Sequence, residues 1–266
     1  MRKVVAALLF TFIGFSTQAI VIQQDTKANE HIINKVPSFL IDMPHEGHGA
    51  LIAPQWIVTA QHVIFYDYQG KTLTIDGKDY TIEKVVKHEG FKTAPKHLTQ
   101  GDASALMTFM KSTHDIALVK LSSPVQNRKP IDINRSFDEK GKIITAFGRG
   151  ATGDGKTGAI FETKRTKTLR TMQNKFESAE KQWLSIRFDQ GKSALPLEGI
   201  DGSGDSGGPL VIEHNGKAKL AGLFSWDYIE GNVESFTAGL FGNSSYQVRI
   251  SYYADWIDQI TNESTK

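Results

Sequence analysis

The chain has 266 residues, enough for one large domain or two small ones with a substantial buried core. Its 31 basic and 29 acidic residues nearly balance, so the composition gives no sign of a nucleic-acid-binding protein. The absence of cysteine excludes disulfides, thiol catalysis and thiolate metal sites, and it leaves stability to packing and hydrogen bonds.

The amino-terminal end is typical of a secretory signal peptide. Arg2 and Lys3 precede an apolar run of 12 residues, VVAALLFTFIGF, and small residues at Thr17 and Ala19 flank a cleavage point. A membrane-spanning helix needs ~20 apolar residues, so an uncleaved anchor is the weaker alternative. We therefore expect residues 1–19 to be removed during export, which would give a secreted or periplasmic protein that no membrane holds.

Short runs rich in β-branched and aromatic residues recur along the rest of the chain, and turn-forming residues separate them. The runs are WIVTA, KTLTI, YTIEKVV, DIALVKL, KIITAF, WLSIRF, PLVI, KLAGLFSW and SYQVRI. They predict an all-β sandwich or barrel fold. A helical pattern stands out only at the end, where Tyr253, Trp256, Ile257 and Ile260 share one face. The polar stretch 123–130, with two prolines, predicts a linker between two halves.

A possible catalytic constellation is spread over three segments. GDSGGP, residues 204–209, places Ser206 in a glycine-rich turn whose backbone N–H groups can approach a substrate carbonyl closely. A serine hydroxyl becomes a good nucleophile only when a histidine accepts its proton and a carboxylate orients that histidine. His62 follows the run WIVTA, and Asp115 begins DIALVKL. These residues predict nucleophilic catalysis by serine.

The segments LIAPQWIVTAQH, HDIALVKL and GDSGGP resemble the trypsin-like serine endopeptidases of the chymotrypsin fold, whose catalytic residues follow in the order His, Asp, Ser. ITAFGRG, KLAGLFSWD and YQVRISYYADWI are similar to further segments of that family. The resemblance implies two six-stranded antiparallel β-barrels with a C-terminal α-helix, in a cysteine-free secreted member of bacterial type. We expect residues 20–130 to form the barrel with His62 and Asp115, and 131–266 the barrel with Ser206.

The resemblance also implies a role for each residue of the site. Ser206 is then the nucleophile, His62 the general base and later the acid, and Asp115 the orienting carboxylate. The backbone N–H groups of Gly204 and Ser206 form the oxyanion hole. No cofactor and no metal is implied, and we expect a monomer that acts on polypeptides and binds no nucleic acid.

The family comparison further implies a cleft and a specificity pocket. Their residues would be Ile200, Asp201, Ser225, Trp226, Asp227 and Ser244. Ile200 stands six residues before the serine, where the family sets its preference. A shift of one residue would aim Asp201 into the pocket and favour Arg or Lys. Asp227 and Ser244 stand where glycines are common, so a narrow pocket remains the alternative.

The resemblance gives the new amino terminus a function. Trypsin-like enzymes are freed by a cut that exposes an Ile-Val terminus, whose ammonium group pairs with the aspartate before the nucleophile. Removal of residues 1–19 would expose Ile20 and Val21, and the aspartate is Asp205. We therefore expect export and activation to share one cut, although Ile22-Gln23 replaces the usual glycine pair.

Other departures from the family concern bracing. Gly47, Val63 and Gly202 stand where half-cystines are expected, so the pocket wall is less constrained. The stretch 91–109, FKTAPKHLTQGDASALMTF, has the look of an insertion that overhangs the cleft.

Several alternatives start from single motifs. Residues 150–157 match the P-loop pattern G-x-x-x-x-G-K-T, which would make the chain an NTPase if a helix followed. GDSGG also fits the nucleophile elbow of α/β-hydrolases, but that fold needs its acid and histidine after the serine. His45 and His48 suggest zinc, although a solvated loop is the preferred interpretation. An inactive, protease-like binding protein is the remaining alternative.

Overall fold

The computed structural model describes residues 20–23, 28–160 and 168–263, and the predicted signal peptide lies outside them. The described part is mostly β, with two six-stranded antiparallel barrels and a C-terminal helix, which confirms the predicted fold class. Its strands are β1 Ile20–Ile22, β2 Leu40–Asp42, β3 His48–Ala53, β4 Trp56–Thr59, β5 Thr72–Ile75, β6 Lys78–Lys87, β7 Ala117–Leu121, β8 Asp132–Ile133, β9 Ile143–Gly148, β10 Thr152–Asp154, β11 Gly158–Ile160, β12 Arg170–Glu180, β13 Trp183–Arg187, β14 Gly199–Ile200, β15 Pro209–His214, β16 Lys217–Tyr228 and β17 Ser244–Arg249. Its α-helices are α1 Ser104–Ser112 and α2 Ala254–Glu263.

The first barrel is a six-stranded sheet in the order β2-β3-β4-β7-β6-β5, with antiparallel neighbours. Alternate side chains point inward and form one buried apolar cluster that includes Leu51, Ile57, Val119 and Leu121. Full burial of such a side chain contributes about 1.5–3 kcal/mol, so this cluster holds the sheet in its curved shape.

The second barrel closes on itself. Its order is β15-β9-β12-β13-β17-β16, and β15 also pairs with β16, so the ring has no open edge. The two-residue strand β8 adds to β16 in parallel, outside the ring. Closure satisfies the backbone groups that an edge strand would expose.

Strand β12 is one of the longest strands, yet its sequence, RTMQNKFESAE, has no recognisable strand pattern. Its inward positions carry Met172 and Phe176 in the apolar core, but also Asn174 between them. The Asn174 amide donates to the carbonyls of Arg187 and Gly199 at 2.9 and 2.8 Å. The buried amide is therefore satisfied by tertiary contacts, which a sequence pattern does not reveal.

Helix α1 was not expected, because only the end of the chain shows a clear helical pattern. It begins in the suspected insertion 91–109, ends three residues after it, and buries Leu106 and Met107. The N–H of Ala103 donates to Gly231 O at 2.8 Å, and the side chains of Gln182 and Trp183 donate to Lys111 O, each at 3.0 Å. The helix is thus fastened to the second barrel rather than standing free.

Strand β1 comes first in the described chain but belongs with the second barrel. It lies between β10, which is parallel, and β14, which is antiparallel. Its residues Ile20 and Val21 are completely buried. The start of the predicted mature chain is therefore part of the core.

A third apolar cluster joins the two barrels. It combines Trp56 and Val58 of the first barrel with Val211 and Trp226 of the second, and Ile257 of α2 packs on it. This shared core packs one barrel against the other in a chain that has no cysteine. Within the described residues, no helix is long and apolar enough to cross a membrane.

Candidate active site

His62 and Asp115 are brought together by strand pairing. His62 lies in a short 3-10 turn that follows β4, and Asp115 lies just before β7. Since Thr59 of β4 pairs with Ala117 of β7, the two side chains meet at the same end of the sheet. His62 Nδ1 is 2.6 Å from Asp115 Oδ2, and the His62 backbone N–H donates to Oδ1 at 2.8 Å. The structure therefore brings these two residues into direct contact.

The surroundings of Asp115 favour its charged form. Burial acts to raise its pKa, but attraction to His62, the His62 bonds and the Ser225 hydroxyl, which donates to Oδ2 at 2.5 Å, lower the pKa below its ordinary value. Burial lowers the pKa of His62, and Asp115 together with Glu46 more than offsets this, so the His62 pKa is raised. The pair is therefore a carboxylate and an imidazole whose Nδ1–H points to it, with the His62 side chain 33% exposed.

Ser206 lies in a tight turn between β14 and β15. Gly204 and Gly207 have φ values of +92° and +72°, which side chains rarely tolerate. A Cβ on Gly207 would lie 2.5 Å from Thr59 Oγ1, so the turn requires glycine there. The main chain of this turn therefore packs directly against the strand that leads to His62.

Contacts across the barrel interface place Ser206 beside the His62 turn. The Ser206 carbonyl accepts the His48 N–H at 2.8 Å. A Cβ on Gly47 would lie 2.7 Å from Ser206 O and 3.0 Å from Val63 Cγ1, so only glycine fits between them. Gly47 and Val63, expected at half-cystine positions, thus provide close packing instead.

Asp205 is fully buried behind the nucleophile. Its Oδ1 accepts the Gly150 N–H at 2.7 Å, and its Oδ2 accepts the Gly202 N–H at 2.9 Å. Burial raises its pKa, while the backbone N–H groups of Gly202, Gly150 and Ile20 act in the opposite direction. The carboxylate is therefore held in place but incompletely compensated.

Ile20 reaches this carboxylate with its backbone N–H. Its φ is +61°, which is strained for a β-branched residue. The structure thus brings the Ile20 peptide N–H to Asp205, and the predicted ammonium pair stays a prediction. A free amino terminus has no φ constraint, so a cut before Ile20 would relieve this strain.

The pocket residues divide into two groups. Asp201 lies next to Asp227, and both have raised pKa values because of burial, with that of Asp227 at about 6. Asp201 Oδ1 has no hydrogen-bond partner in the described part of the chain. Ile200, by contrast, pairs with Val21 and packs in the core of the second barrel.

Ser245 was missed by sequence reasoning, which named its neighbour Ser244. Ser245 is fully buried, hydrogen-bonds Asp201 and pairs with Asp227 in the β16–β17 ladder. Ser244 lies one position away and pairs with Tyr228. Because neighbouring side chains of a strand point to opposite faces, only the strand register distinguishes the two serines.

Trp226, predicted to line the cleft, is largely covered. Its ring stacks on Tyr246 with centroids 4.2 Å apart and meets Trp183 edge-on at 5.5 Å. Leu106 and Met107 of α1 belong to the same buried cluster. Helix α1 therefore contributes to the cluster that covers Trp226, whereas the Ser225 hydroxyl donates to Asp115.

One motif-based interpretation is wrong, and one alternative lacks the local structure that it requires. His48 does not lie in a solvated loop: it is in β3 with a fully buried side chain, and only His45 is exposed. The described residues contain no group of three potential metal ligands. Residues 150–157 form part of the β10–β11 hairpin, with Asp154 accepting the Lys156 N–H, so no helix follows as a P-loop requires.

Comparison with known proteins agrees with this geometry. The family described as Trypsin matches residues 38–257, which is most of the chain. Coagulation factor IX of Oryctolagus cuniculus is similar, being 28% identical over 218 residues that cover 78% of this chain and 73% of that protein. With its two barrels and this match, the chain belongs to the trypsin family and is a trypsin-like serine protease.

Proposed function

We propose that this protease is an exported, monomeric endopeptidase that cleaves polypeptides through His62, Asp115 and Ser206. The observation that carries the assignment is the 2.6 Å contact between His62 Nδ1 and Asp115 Oδ2. Ser206 lies on the same side of the barrel interface, where Gly47 fits tightly between the Ser206 carbonyl and the Val63 side chain. In this proposal, residues 20–130 form one half of the enzyme and residues 131–266 form the other, with β1 packed on the second half.

In the proposed mechanism, His62 Nε2 takes the proton from Ser206 Oγ as that oxygen attacks the substrate carbonyl. Asp115 keeps the proton of His62 on Nδ1 and stabilises the imidazolium that forms. His62 then protonates the leaving amine, which yields an acyl-enzyme. A water molecule, activated by the same imidazole, hydrolyses the acyl group and returns Ser206 to its starting form.

The N–H groups of Gly204 and Ser206 are proposed to bind the oxyanion. Because it has no side chain, Gly204 can adopt a positive φ. This backbone conformation turns its peptide group, which supports the proposed role. Substrate backbone would add to the end of β16 at Ser225 and Trp226 as an extra strand.

Activation is proposed to follow from signal-peptide removal. The ammonium group of Ile20 would then replace the peptide N–H beside Asp205 and supply the missing positive charge. The buried position of Ile20 and its strained φ support this step. A surface-exposed terminus is the competing outcome.

A basic side chain is the proposed preference of the pocket. Asp201 and Asp227 are two neighbouring half-buried carboxylates, and Asp201 Oδ1 has no partner among the described atoms. A bound Arg or Lys would provide the counter-charge that both lack.

The test is Ser206→Ala with a matched control, Ser203→Ala, whose side chain is exposed in the same turn. We expect Ser206→Ala to lose peptide and ester hydrolysis while keeping its fold, because no other group can form the acyl intermediate. Ser203→Ala should retain activity. A fluorophosphonate should label Ser206 and no other residue, as mapped by mass spectrometry.

Two results would contradict the proposal. Undiminished activity of Ser206→Ala would remove Ser206 as nucleophile. Failure of the wild-type protein to hydrolyse any ester or to react with the fluorophosphonate would instead favour the inactive, protease-like binding protein.

A further inference from the structure

His48 occupies an unusual position behind the nucleophile. Its side chain is completely buried, and its backbone carbonyl accepts the Thr59 hydroxyl at 2.6 Å. Its own N–H holds the Ser206 carbonyl at 2.8 Å. A histidine buried in this way must satisfy both ring nitrogens or lose stability.

The ring contacts define one tautomer. The Arg149 backbone N–H donates to His48 Nε2 at 3.1 Å, so Nε2 carries no proton. Nδ1 therefore carries the proton and donates it to Asp42 Oδ1 at 2.9 Å. The neutral imidazole thus links a carboxylate of β2 to a peptide of the second barrel.

The Arg149–Gly150 peptide in turn holds Asp205. The N–H of Gly150 donates to Asp205 Oδ1 at 2.7 Å, and a Cβ on Gly150 would lie 2.5 Å from Ser203 O and 2.6 Å from Asp205 N. This segment is packed so closely on the nucleophile turn that a shift of Arg149 would move the turn as well.

Charges on every side keep the ring in this arrangement. Asp42 faces Nδ1 and also lies 3.3 Å from Arg149 Nε. Asp205 Oδ1 lies 3.9 Å from Nε2, which is too long for a hydrogen bond. His48 consequently acts on Asp205 through the Arg149–Gly150 peptide rather than by direct contact.

We propose that His48 is a positioning residue of the protease, which fixes the oxyanion turn by accepting the Arg149 N–H while Asp42 orients its ring. The inference rests on the proposed role of Ser206 and its turn. It adds a support for Asp205 from the first barrel, independent of Ile20. Because the oxyanion forms only in the transition state, the support contributes to kcat rather than to substrate binding.

Isosteric amides separate the two ring bonds. His48→Gln places an amide oxygen near the position of Nε2 and keeps an acceptor for Arg149. His48→Asn places its amide near Nδ1 and keeps only the partner of Asp42. His48→Leu removes both bonds. His97→Gln is the matched control, because His97 is exposed in another turn.

We expect His48→Gln and His97→Gln to retain kcat within about threefold. His48→Asn and His48→Leu should lose about tenfold to a hundredfold in kcat with an unchanged KM, less than the ~10²–10³ of a direct oxyanion donor. The measurements are steady-state ester hydrolysis and the single-turnover rate of Ser206 phosphonylation, with thermal melting to verify folding.

Three results would overturn the proposal. These are equal kcat losses in Gln, Asn and Leu variants, a loss carried by KM, and greater activity of Asn than of Gln. If a variant does not fold, ¹⁵N imidazole spectra of the Ser206→Ala protein decide: a proton on Nε2 of His48 contradicts the geometry. Because wild-type labelling of Ser206 is measured alongside, failure of the His48 role is distinguishable from failure of the proposed function.

Discussion

The two halves of the site differ in how the charges of their carboxylates are compensated. Asp115, in the first barrel, has His62 and Ser225 as hydrogen-bond partners, and its pKa is lowered. Asp201 and Asp205, in the turn that carries Ser206, have raised pKa values because burial outweighs their partners.

The difference distinguishes a half whose charges are balanced within the chain from a half that, in the proposed function, gains positive charge later. The acid–base pair has its charges matched by its own side chains. Among the described residues, no Lys or Arg forms an ion pair with Asp201, Asp205 or Asp227. In the proposed function, a new amino terminus and a basic substrate supply the two missing cations.

The largest effect is expected from a substitution in the acid–base pair, whose charges are already balanced. Asp115→Asn removes the charge that orients His62, and we expect kcat to fall by about 10⁴-fold while the fold persists. Kinetics on a peptide ester, with Asp138→Asn as an exposed ion-pair control, provide the measurement. Retention of more than a tenth of the activity would show that another group orients His62.

The next largest effect is expected when no ammonium group forms beside Asp205. A chain with one Met before Ile20 keeps a peptide bond beside Asp205 in place of an ammonium group, and we expect a loss of about 10²–10³ in kcat. The control is the same chain released at Ile20. Asp205→Asn should behave like the extended chain, and full activity in either would place activation elsewhere.

The same pair predicts a decline in alkali. If the proposed pair forms, Asp205 raises the folded-state pKa of the Ile20 ammonium above its free value of ~7.7–8.0. Its contribution is therefore complete below that free value and is lost as pH rises through the folded one. Activity of the released chain should fall reversibly at high pH, and a profile without this fall would count against the ammonium pair.

Sequence reasoning was effective where a short segment contains both the chemistry and its strand. The runs before His62 and at Asp115 become β4 and β7, and their pairing brings the two side chains together. It was wrong for His48, because nothing local shows that Asp42 and Arg149 satisfy a buried ring. Long-range partners of this kind are visible only in the folded chain.

A smaller effect should appear in specificity. If Asp201 pairs with a basic substrate side chain, Asp201→Ser should lower kcat/KM for Arg and Lys substrates about tenfold more than for apolar ones, a difference of ~1.4 kcal/mol. A peptide library that varies the residue before the cleaved bond measures both. Equal losses for both classes would place Asp201 outside the pocket.

The pH dependence of stability tests the acidic pair without any substrate. The pKa of Asp227 is raised from 3.8 to about 6, so the folded state holds its proton more tightly and stability falls as pH rises through that interval. Asp227→Asn cannot ionise. Its melting temperature should exceed that of the wild type above pH ~6, by on the order of 2–4 °C per kcal/mol, and match it near pH ~4. Parallel curves would contradict the raised pKa.

The smallest effect is expected in the hairpin that imitates a P-loop. Lys156 is exposed between β10 and β11, so Lys156→Ala should leave hydrolysis unchanged. Equilibrium dialysis with MgATP should detect no tight binding by either protein. Binding that this substitution abolishes would revive the nucleotide interpretation.

The pocket shows why a sequence match fixes some residues more loosely than others. The sequence prediction names Ser244, whereas Ser245, one position along β17 and on the opposite face, hydrogen-bonds Asp201. Helix α1 was missed since its buried positions, 106 and 107, are too few to give a clear period. Both lie where this chain departs from the segments that resemble the family.

Because of the apolar cluster between the barrels, the intrinsic fluorescence of the protein reports on its structure. The sequence has four tryptophans, and all of them lie in or against that cluster: Trp56, Trp183 and Trp226 are members, and Trp256 packs on it. Intrinsic fluorescence therefore records the docking of one barrel on the other rather than the interior of either. With no disulfide to hold a separated pair together, the emission change in urea and the loss of catalysis should share one midpoint, in the presence or absence of reductant.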